Sequence, residues 1–341
     1  MENSPISYSF FIGIDLSKTY FDVTIINASG KKISYKRFDN KSEGYFSFLT
    51  WVGKFTNNCN SLLFCMEHTG IYGRAIQHFL QDHHQPLWIE SGLQIKRSLG
   101  IQRGKNDKID SYRIAIYAQE KCSKVQITPD YDTNIEQMHD LLTARNRLLT
   151  AYNALRTAQE EIKNFDDTSY QTIKEVQKQA LDGLIASIKT TEHEIDKLLK
   201  KNIDWQKNVD LITSIKGLGK ITALWLLIYT RNFDPKFNAR KIAAFVGIAP
   251  YEIGSGTSVN GGTHVSKFAH ISLKSILHTA AMSAIRFNEP IKKYHQRKKA
   301  EGKKGLVVMN NIKNKLVHQL VAVVRSQKPF DPQFRHPKMA A

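Results

Sequence analysis

Four acids in the first third of the chain have settings and spacings suited to metal-assisted phosphate chemistry. Asp15 closes the apolar run Phe10-Phe11-Ile12-Gly13-Ile14, and Glu67 closes the run Leu62-Leu63-Phe64-Cys65-Met66. Apolar alternation does not place an acid at such a strand end, and a carboxylate held there needs a compensating partner. Asp107 and Asp110 stand three residues apart, which sets both on one face of a helix expected at about 106–118. Four converging carboxylates would balance two divalent cations about 3.5 to 4 Å apart, the arrangement that clamps the attacking and leaving oxygens of a phosphate. Each acid alone also fits a plainer role as a cap or an exposed strand end. Asp22, on the second expected strand, is read as facing solvent.

A candidate nucleophile lies far downstream. Ser255 sits between Gly254 and Gly256, followed by Thr257, Ser258, Gly261-Gly262 and Ser266-Lys267. Flanking glycines remove steric cover and let a bulky backbone phosphate approach the hydroxyl, although the same composition makes ordinary flexible loops. Upstream, Ile215-Lys216-Gly217-Leu218-Gly219-Lys220-Ile221-Thr222-Ala223 resembles the turn of a helix-hairpin-helix, whose backbone N–H groups meet a phosphate at a helix N-terminus. Lys216 and Lys220 are the candidate phosphate contacts; the alternative is a tight turn between two packed helices.

The elements that must position these groups fall into three stretches. Short strands are expected at 10–15, 20–26 and 32–38, close enough in sequence to form antiparallel hairpins. A helix at 42–51, a strand at 62–66, a helix at 71–80 and a strand at 87–89 follow, which is the element order of an RNase H-like α/β fold. From about 133 to 200 the pattern becomes helical, with Leu141, Leu148, Leu155 and Ile162 at heptad spacing and Leu181, Ile188 and Ile195 repeating it. The Phe165-Asp166-Asp167-Thr168 segment supplies a turn and an N-cap, so either an antiparallel helical hairpin or a dimerising coiled coil fits. The expected organisation is an α/β domain at 1–125, a long helical or coiled-coil connector at 126–205 and a mainly α C-terminal domain at 206–341.

The chain has 341 residues and a formal charge of +18. From Leu211 onward 22 lysines and arginines face five acids, so nearly all the excess lies in the C-terminal part. Such a surplus points to a polyanion, because lysine and arginine release counterions when they neutralise phosphates. No apolar run approaches the roughly 20 residues of a membrane span, and no secretory signal is apparent. Three cysteines without zinc-like spacing read as reduced thiols of a cytoplasmic protein, and His83-His84 as a solvated loop.

At the acids and the serine the sequence resembles the IS110 family of transposases. The stretches that carry the resemblance are Gly13-Ile14-Asp15-Leu16-Ser17-Lys18, Met66-Glu67-His68-Thr69-Gly70 and Lys105-Asn106-Asp107-Lys108-Ile109-Asp110, with Val246-Gly247-Ile248-Ala249-Pro250 leading to Ser255. It spans about residues 8 to 325. It implies a RuvC-like N-terminal domain whose Asp15, Glu67, Asp107 and Asp110 form a DEDD set for Mg2+ or Mn2+, and a C-terminal transposase domain with Ser255 as nucleophile. Lys267 matches the basic residue that follows. Phe268-Ala269-His270 and Lys274 depart from the usual pattern, which unsettles the phosphate contacts there. The resemblance further implies donor and target DNA, a structured bridge RNA, and a homo-oligomer, dimer or tetramer, with composite active sites, acting on DNA in the bacterial cytoplasm, at the nucleoid. Against this reading stand a RuvC-like nuclease in which water attacks and a nucleic-acid-binding protein without catalysis.

Overall fold

In the computed structural model, which describes residues 8–56, 58, 61–98, 100, 107–255, 259–266 and 269–333, the runs ending in Asp15 and Glu67 are adjacent strands of one sheet. Strands β1 (Phe10–Leu16), β2 (Tyr20–Asn27) and β3 (Lys32–Asp39) are joined by turns too short for a crossover and pair antiparallel. Helix α1 (Ser42–Val52) precedes β4 (Leu62–Glu67), and α2 (Ile71–Asp82) precedes β5 (Leu87–Glu90). These helical crossovers let β4 pair parallel to β1, and β5 parallel to β4. The sheet order is β3-β2-β1-β4-β5. Helices α3 (Gly92–Ser98) and α4 (Asp107–Glu120) complete this region, and the expected elements form with ends moved by one or two residues. α3 is an addition to the expected set.

The two-residue period of the strands sorts their side chains onto two faces. Ile12, Ile14, Val23, Phe64 and Met66 form one core with Phe48 of α1 and Ile76 of α2. Phe11, Leu63, Cys65 and Trp88 form the opposite core with Ile114, Ala115 and Ala118 of α4. The approach of α4 is set by Gly13. A Cβ there would lie 2.1 Å from the Ser111 carbonyl oxygen and 2.4 Å from the Ala115 nitrogen, so only glycine lets the helix backbone seat on β1. A buried hydrogen bond of 2.8 Å joins the hydroxyls of Ser111 and Thr24.

Contacts divide the chain into two units, residues 1–132 and 133–341. The second opens with two long helices, α5 (Thr133–Lys163) and α6 (Asp167–Lys201), which pack on each other as a hairpin. The Asp166 carboxylate caps α6 by accepting from the Ser169 N–H at 3.1 Å. An ion pair of 2.7 Å joins Arg145 to Glu192 across the hairpin. Where α5 begins and α6 ends, Met138, Leu142, Ile195 and Leu199 join the core of the helices that follow. Those are α7 (Ile203–Thr213), α8 (Lys220–Tyr229), α9 (Ala239–Val246), α10 (Ile271–Phe287), α11 (Glu289–Ala300) and α12 (Gly305–Ser326), with a hairpin of β6 (Pro250–Ser255) and β7 (Val259–Val265) between α9 and α10. Among the described residues no helix is long and apolar enough to cross a membrane. Cys65 and Cys122 are free thiols, and Cys59 lies outside the described residues.

Adding one methyl group at Gly13 must therefore push α4 off the sheet. Gly13→Ala is expected to lower stability by at least about 1–3 kcal/mol, as overpacking does, read as a lower denaturant midpoint; an unchanged midpoint would contradict this packing.

Candidate functional site

Asp15 shares the α4 face of the sheet with Phe11 and Gly13, and Glu67 shares it with Leu63 and Cys65, because residues two apart point the same way. The parallel register pairs Ile14 with Met66, so the next residues, Asp15 and Glu67, are neighbours at the carboxyl ends of adjacent strands. α4 runs antiparallel to β1. Its far end reaches the β2–β3 turn, where Gln119 donates to the Ala28 carbonyl at 3.1 Å, so its first turn lies toward the Asp15 end. Asp107 and Asp110 are in that first turn. The first turn of α4 thus lies toward the edge of the sheet at which β1 and β4 end.

The local charges are compensated unequally. The Asp110 carboxylate takes a 2.8 Å ion pair from Arg113, with both side chains largely covered. Glu67 has no hydrogen bond or ion pair among the described residues, and its carboxylate rests against the Cα of Gly92. Asp15 is half-buried. The side chain of Asp107 lies outside the described residues. Among the described residues no three acids, histidines or cysteines stand close enough to enclose an ion. The donor chemistry, all hard carboxylate oxygens, fits Mg2+ or Mn2+.

Asp22 corrects the sequence reading. It was expected to face solvent, yet it is fully buried, directly opposite Asp15 in the β1–β2 register. Its compensation comes from its own cross-strand partner, Arg37, which binds at 2.9 Å through Nη2 and 3.2 Å through Nε. The Tyr35 hydroxyl also donates to it, and burial together with that bond pushes the Tyr35 pKa up. The Arg37 guanidinium lies over the Tyr20 ring at 3.9 Å. An acid opposite an arginine on the neighbouring strand was the available signal, and it required the register.

Glu90 was overlooked, although it closes Leu87-Trp88-Ile89 just as Asp15 and Glu67 close their strands. It is the register partner of Glu67. Its carboxylate accepts from the Tyr117 hydroxyl of α4 at 3.0 Å and from the Ser91 N–H at 2.7 Å. Burial first, and then this bond, push the Tyr117 pKa up.

In the second unit Ser255 is the last residue of β6, opposite Val259 in register, just after an irregularity between Ile253 and Gly254. Its side chain, residues 256–258 and Lys267 lie outside the described residues. The segment around Lys216 is a tight turn between α7 and α8. Gly217 holds φ +107 there, and its Cα packs against Ala284 of α10. Lys216 is exposed, and its carbonyl accepts from Asn288 at 3.2 Å. Lys220 is engaged by Asp196 at 2.7 Å. Lys274 is half-buried on α10, and its charge acts on Lys313 of α12, a residue the sequence reading passed over. Lys313 is only 7% exposed and has no carboxylate partner among the described residues. Burial, then Lys274, hold its pKa down. Two cations facing each other with one of them buried form a setting that an anion would relieve. A lone lysine in an amphipathic helix carries no signal of this kind in sequence.

The chain is similar to known recombination proteins along most of its length. Residues 12–162 match a family model for the DEDD transposase of IS110, described as transposase. Residues 209–296 match a second, described as transposase of the IS116/IS110/IS902 family. The pilin gene-inverting protein of Moraxella lacunata is 26% identical over 329 residues, covering 94% of this chain and 97% of that protein. Its counterpart in Moraxella bovis matches to the same extent. An IS110 insertion-element protein of Streptomyces coelicolor is 27% identical over 180 residues, half of this chain and 44% of that one.

Because the folded state must carry a buried ammonium at Lys313, Lys313→Met is expected to stabilise the free protein at neutral pH by about 1 kcal/mol, roughly 2–4 °C in a unit of this size. The lysine pKa is lowered in the fold, so the charge costs stability below the folded pKa and the cost vanishes as pH rises past the ordinary lysine range. The gap between native and variant melting temperatures should therefore narrow in alkali; a variant less stable at neutral pH would refute the unpaired charge.

Proposed function

This chain belongs to the IS110 family of transposases, enzymes that recombine DNA, and we propose that it does so through a covalent link between Ser255 and the DNA backbone. The observation that supports the reading is that Asp15 and Glu67 end adjacent parallel strands, with the first turn of α4, which holds Asp107 and Asp110, lying toward the same end. The order β3-β2-β1-β4-β5, with β2 alone antiparallel to the rest, supports an RNase H-like, RuvC-like first unit.

These four acids would hold Mg2+ or Mn2+, which when bound polarises the scissile phosphate and favours ionisation of the serine hydroxyl. Glu67, with no hydrogen bond or ion pair among the described residues, is a ready ligand, whereas Asp110 would exchange or share its bond to Arg113. Ser255 Oγ forms a bond to phosphorus as the bond from phosphorus to the 3′ oxygen breaks. The hydroxyl proton passes to solvent or a nearby base, and the departing oxygen takes one up. The phosphoserine diester conserves the bond energy for religation, so strands are exchanged without net hydrolysis. The flanking Gly254 and Gly256 carry no side chain to cover the hydroxyl, and in this reading Lys216, Lys267 and Lys274 contact phosphates, with Lys220 joining them on release from Asp196.

Relatives named for inverting a pilin gene support exchange between two DNA sites. The excess positive charge suits donor and target DNA and, in line with the family resemblance, a structured bridge RNA. A homo-oligomer with composite active sites would bring Ser255 of one protomer to the carboxylates of another, in a bacterial cytoplasm at the nucleoid.

Trapping tests the link directly. A substrate nicked beside the scissile phosphate should yield a protein–DNA adduct with the native enzyme and none with Ser255→Ala; cutting without any adduct in the native protein would instead mean attack by water. Asp15→Ala and Glu67→Ala should abolish both adduct and cutting.

A finer variant probes the carboxylate geometry. A Cβ on Gly92 would fall 1.7 Å from Glu67 Oε1, and the flexible side chain can swing away at little cost in stability. Gly92→Ala should thus reduce adduct formation about 10- to 100-fold, the penalty of an ångström-scale misplacement, with a near-native melting temperature. Full activity would remove Glu67 from the site.

A further inference from the structure

A cleft of about 630 Å³ lies within the second unit, between one face of α5, the end of α8 and the start of α10, and no step proposed above uses it. One wall is aromatic. Trp225 and Tyr229 of α8 stack with ring centroids 5.8 Å apart and planes at 17°. His270 meets Tyr229 at 4.3 Å, and His139 stands edge-on to Trp225 at 5.6 Å. The facing wall is built from α5 residues three and four apart, among them Thr143, Thr150, Ala151 and Ala154. These short side chains leave a slot against the rings, on a different face of α5 from its heptad leucines.

The cleft offers hydrogen-bond donors beside the hydroxyls of Thr143, Thr150 and Ser272, which can donate or accept. His270 Nδ1 accepts from the Leu273 N–H at 3.2 Å, so the neutral ring carries its proton on Nε2. Burial, with the nearby His139, holds its pKa down and keeps that form. Asn146 and Arg147 line the cleft with no hydrogen-bond or ion-pair partner for their side chains among the described residues. The Trp225 indole N–H, buried in the wall, likewise has no acceptor. Flat rings, a narrow slot, several donors and one free guanidinium match a planar heterocycle rich in acceptors that carries a phosphate.

We propose that this cleft binds an unstacked nucleobase of a nucleic-acid strand, the ring lying along Tyr229 and His270 and its phosphate meeting Arg147. The inference rests on the reading of the chain as a recombinase and adds a subsite remote in sequence from the acids. Strand exchange requires bases to leave the duplex, and a pocket that captures one would hold the strand open. The chain-wide charge of +18 favours such a ligand over a neutral heterocycle.

The test uses the full chain and short single-stranded oligonucleotides, DNA in one arm and RNA in the other, each with one 2-aminopurine, whose emission falls on stacking. Binding should quench the probe in at least one arm, and the arm that responds identifies the strand. Ala151→Trp fills the slot and Arg147→Ala removes the phosphate contact, both on an exposed helix face where folding is undisturbed. Each should weaken quenching and affinity about tenfold or more, the scale of one lost base stack. No quenching in either arm, or unchanged affinity in both variants at native melting temperatures, would overturn the proposal. The Ser255 adduct assay run beside it separates the two readings: an adduct with an inert cleft sinks only the cleft, and a quenching cleft without an adduct sinks only the phosphoserine mechanism.

Discussion

The first unit is organised around the contact of α4 with β1, backbone against backbone at Gly13. A helix carrying Ser111 and Ala115 at that distance cannot slide or rotate, since the Ser111–Thr24 bond fixes its turn and the Gln119–Ala28 bond fixes its direction. Its first turn, with Asp107 and Asp110, is consequently held over the ends of β1 and β4. The strand period then does the rest, because a glycine that must face α4 obliges Asp15, two residues on, to face it too.

Concentrating acids on one partly covered face is costly unless each charge finds compensation. The sheet meets this in three local ways. Arg37 neutralises Asp22 from the neighbouring strand, Arg113 neutralises Asp110 from the next turn of the same helix, and Glu90 is held by a phenol and a backbone N–H. Glu67 stands outside this scheme, with no hydrogen bond or ion pair among the described residues and the Gly92 backbone against its carboxylate. A carboxylate in that state beside a second one gains most from an added cation, which is the physical ground on which a metal is proposed at this edge.

The second unit handles charge in the opposite sense. Its lysines differ sharply in circumstance: Lys220 is tied to Asp196, Lys216 is open to solvent, and Lys313 is buried with another lysine as its neighbour. Of these three, the open and the buried ones retain electrostatic demand for a polyanion. The hairpin whose first strand ends in Ser255 is inserted between α9 and α10 of this helical framework. The joint core of Met138 and Leu142 with Ile195 and Leu199 ties the long hairpin to that same framework.

The element order, the strand-end acids, the i, i+3 pair on α4 and the concentration of positive charge in the C-terminal part were legible from the chain itself. All are local or additive properties: periodicity, turn length and net charge are carried by neighbouring residues. Which acids share a face was less legible, and Asp22 marks the boundary. Its burial follows from the β2–β3 register that sets Arg37 opposite it, and Glu90 enters the same edge only through parallel pairing with Glu67. The aromatic cleft lay beyond sequence reasoning altogether, since Asn146 on α5, Trp225 on α8 and His270, which caps α10, meet only by packing. Sequence alone determined the kinds of chemistry available and the segments that hold them; the tertiary structure decided which charges are already satisfied and which still lack a partner, because compensation depends on distances between residues far apart along the chain.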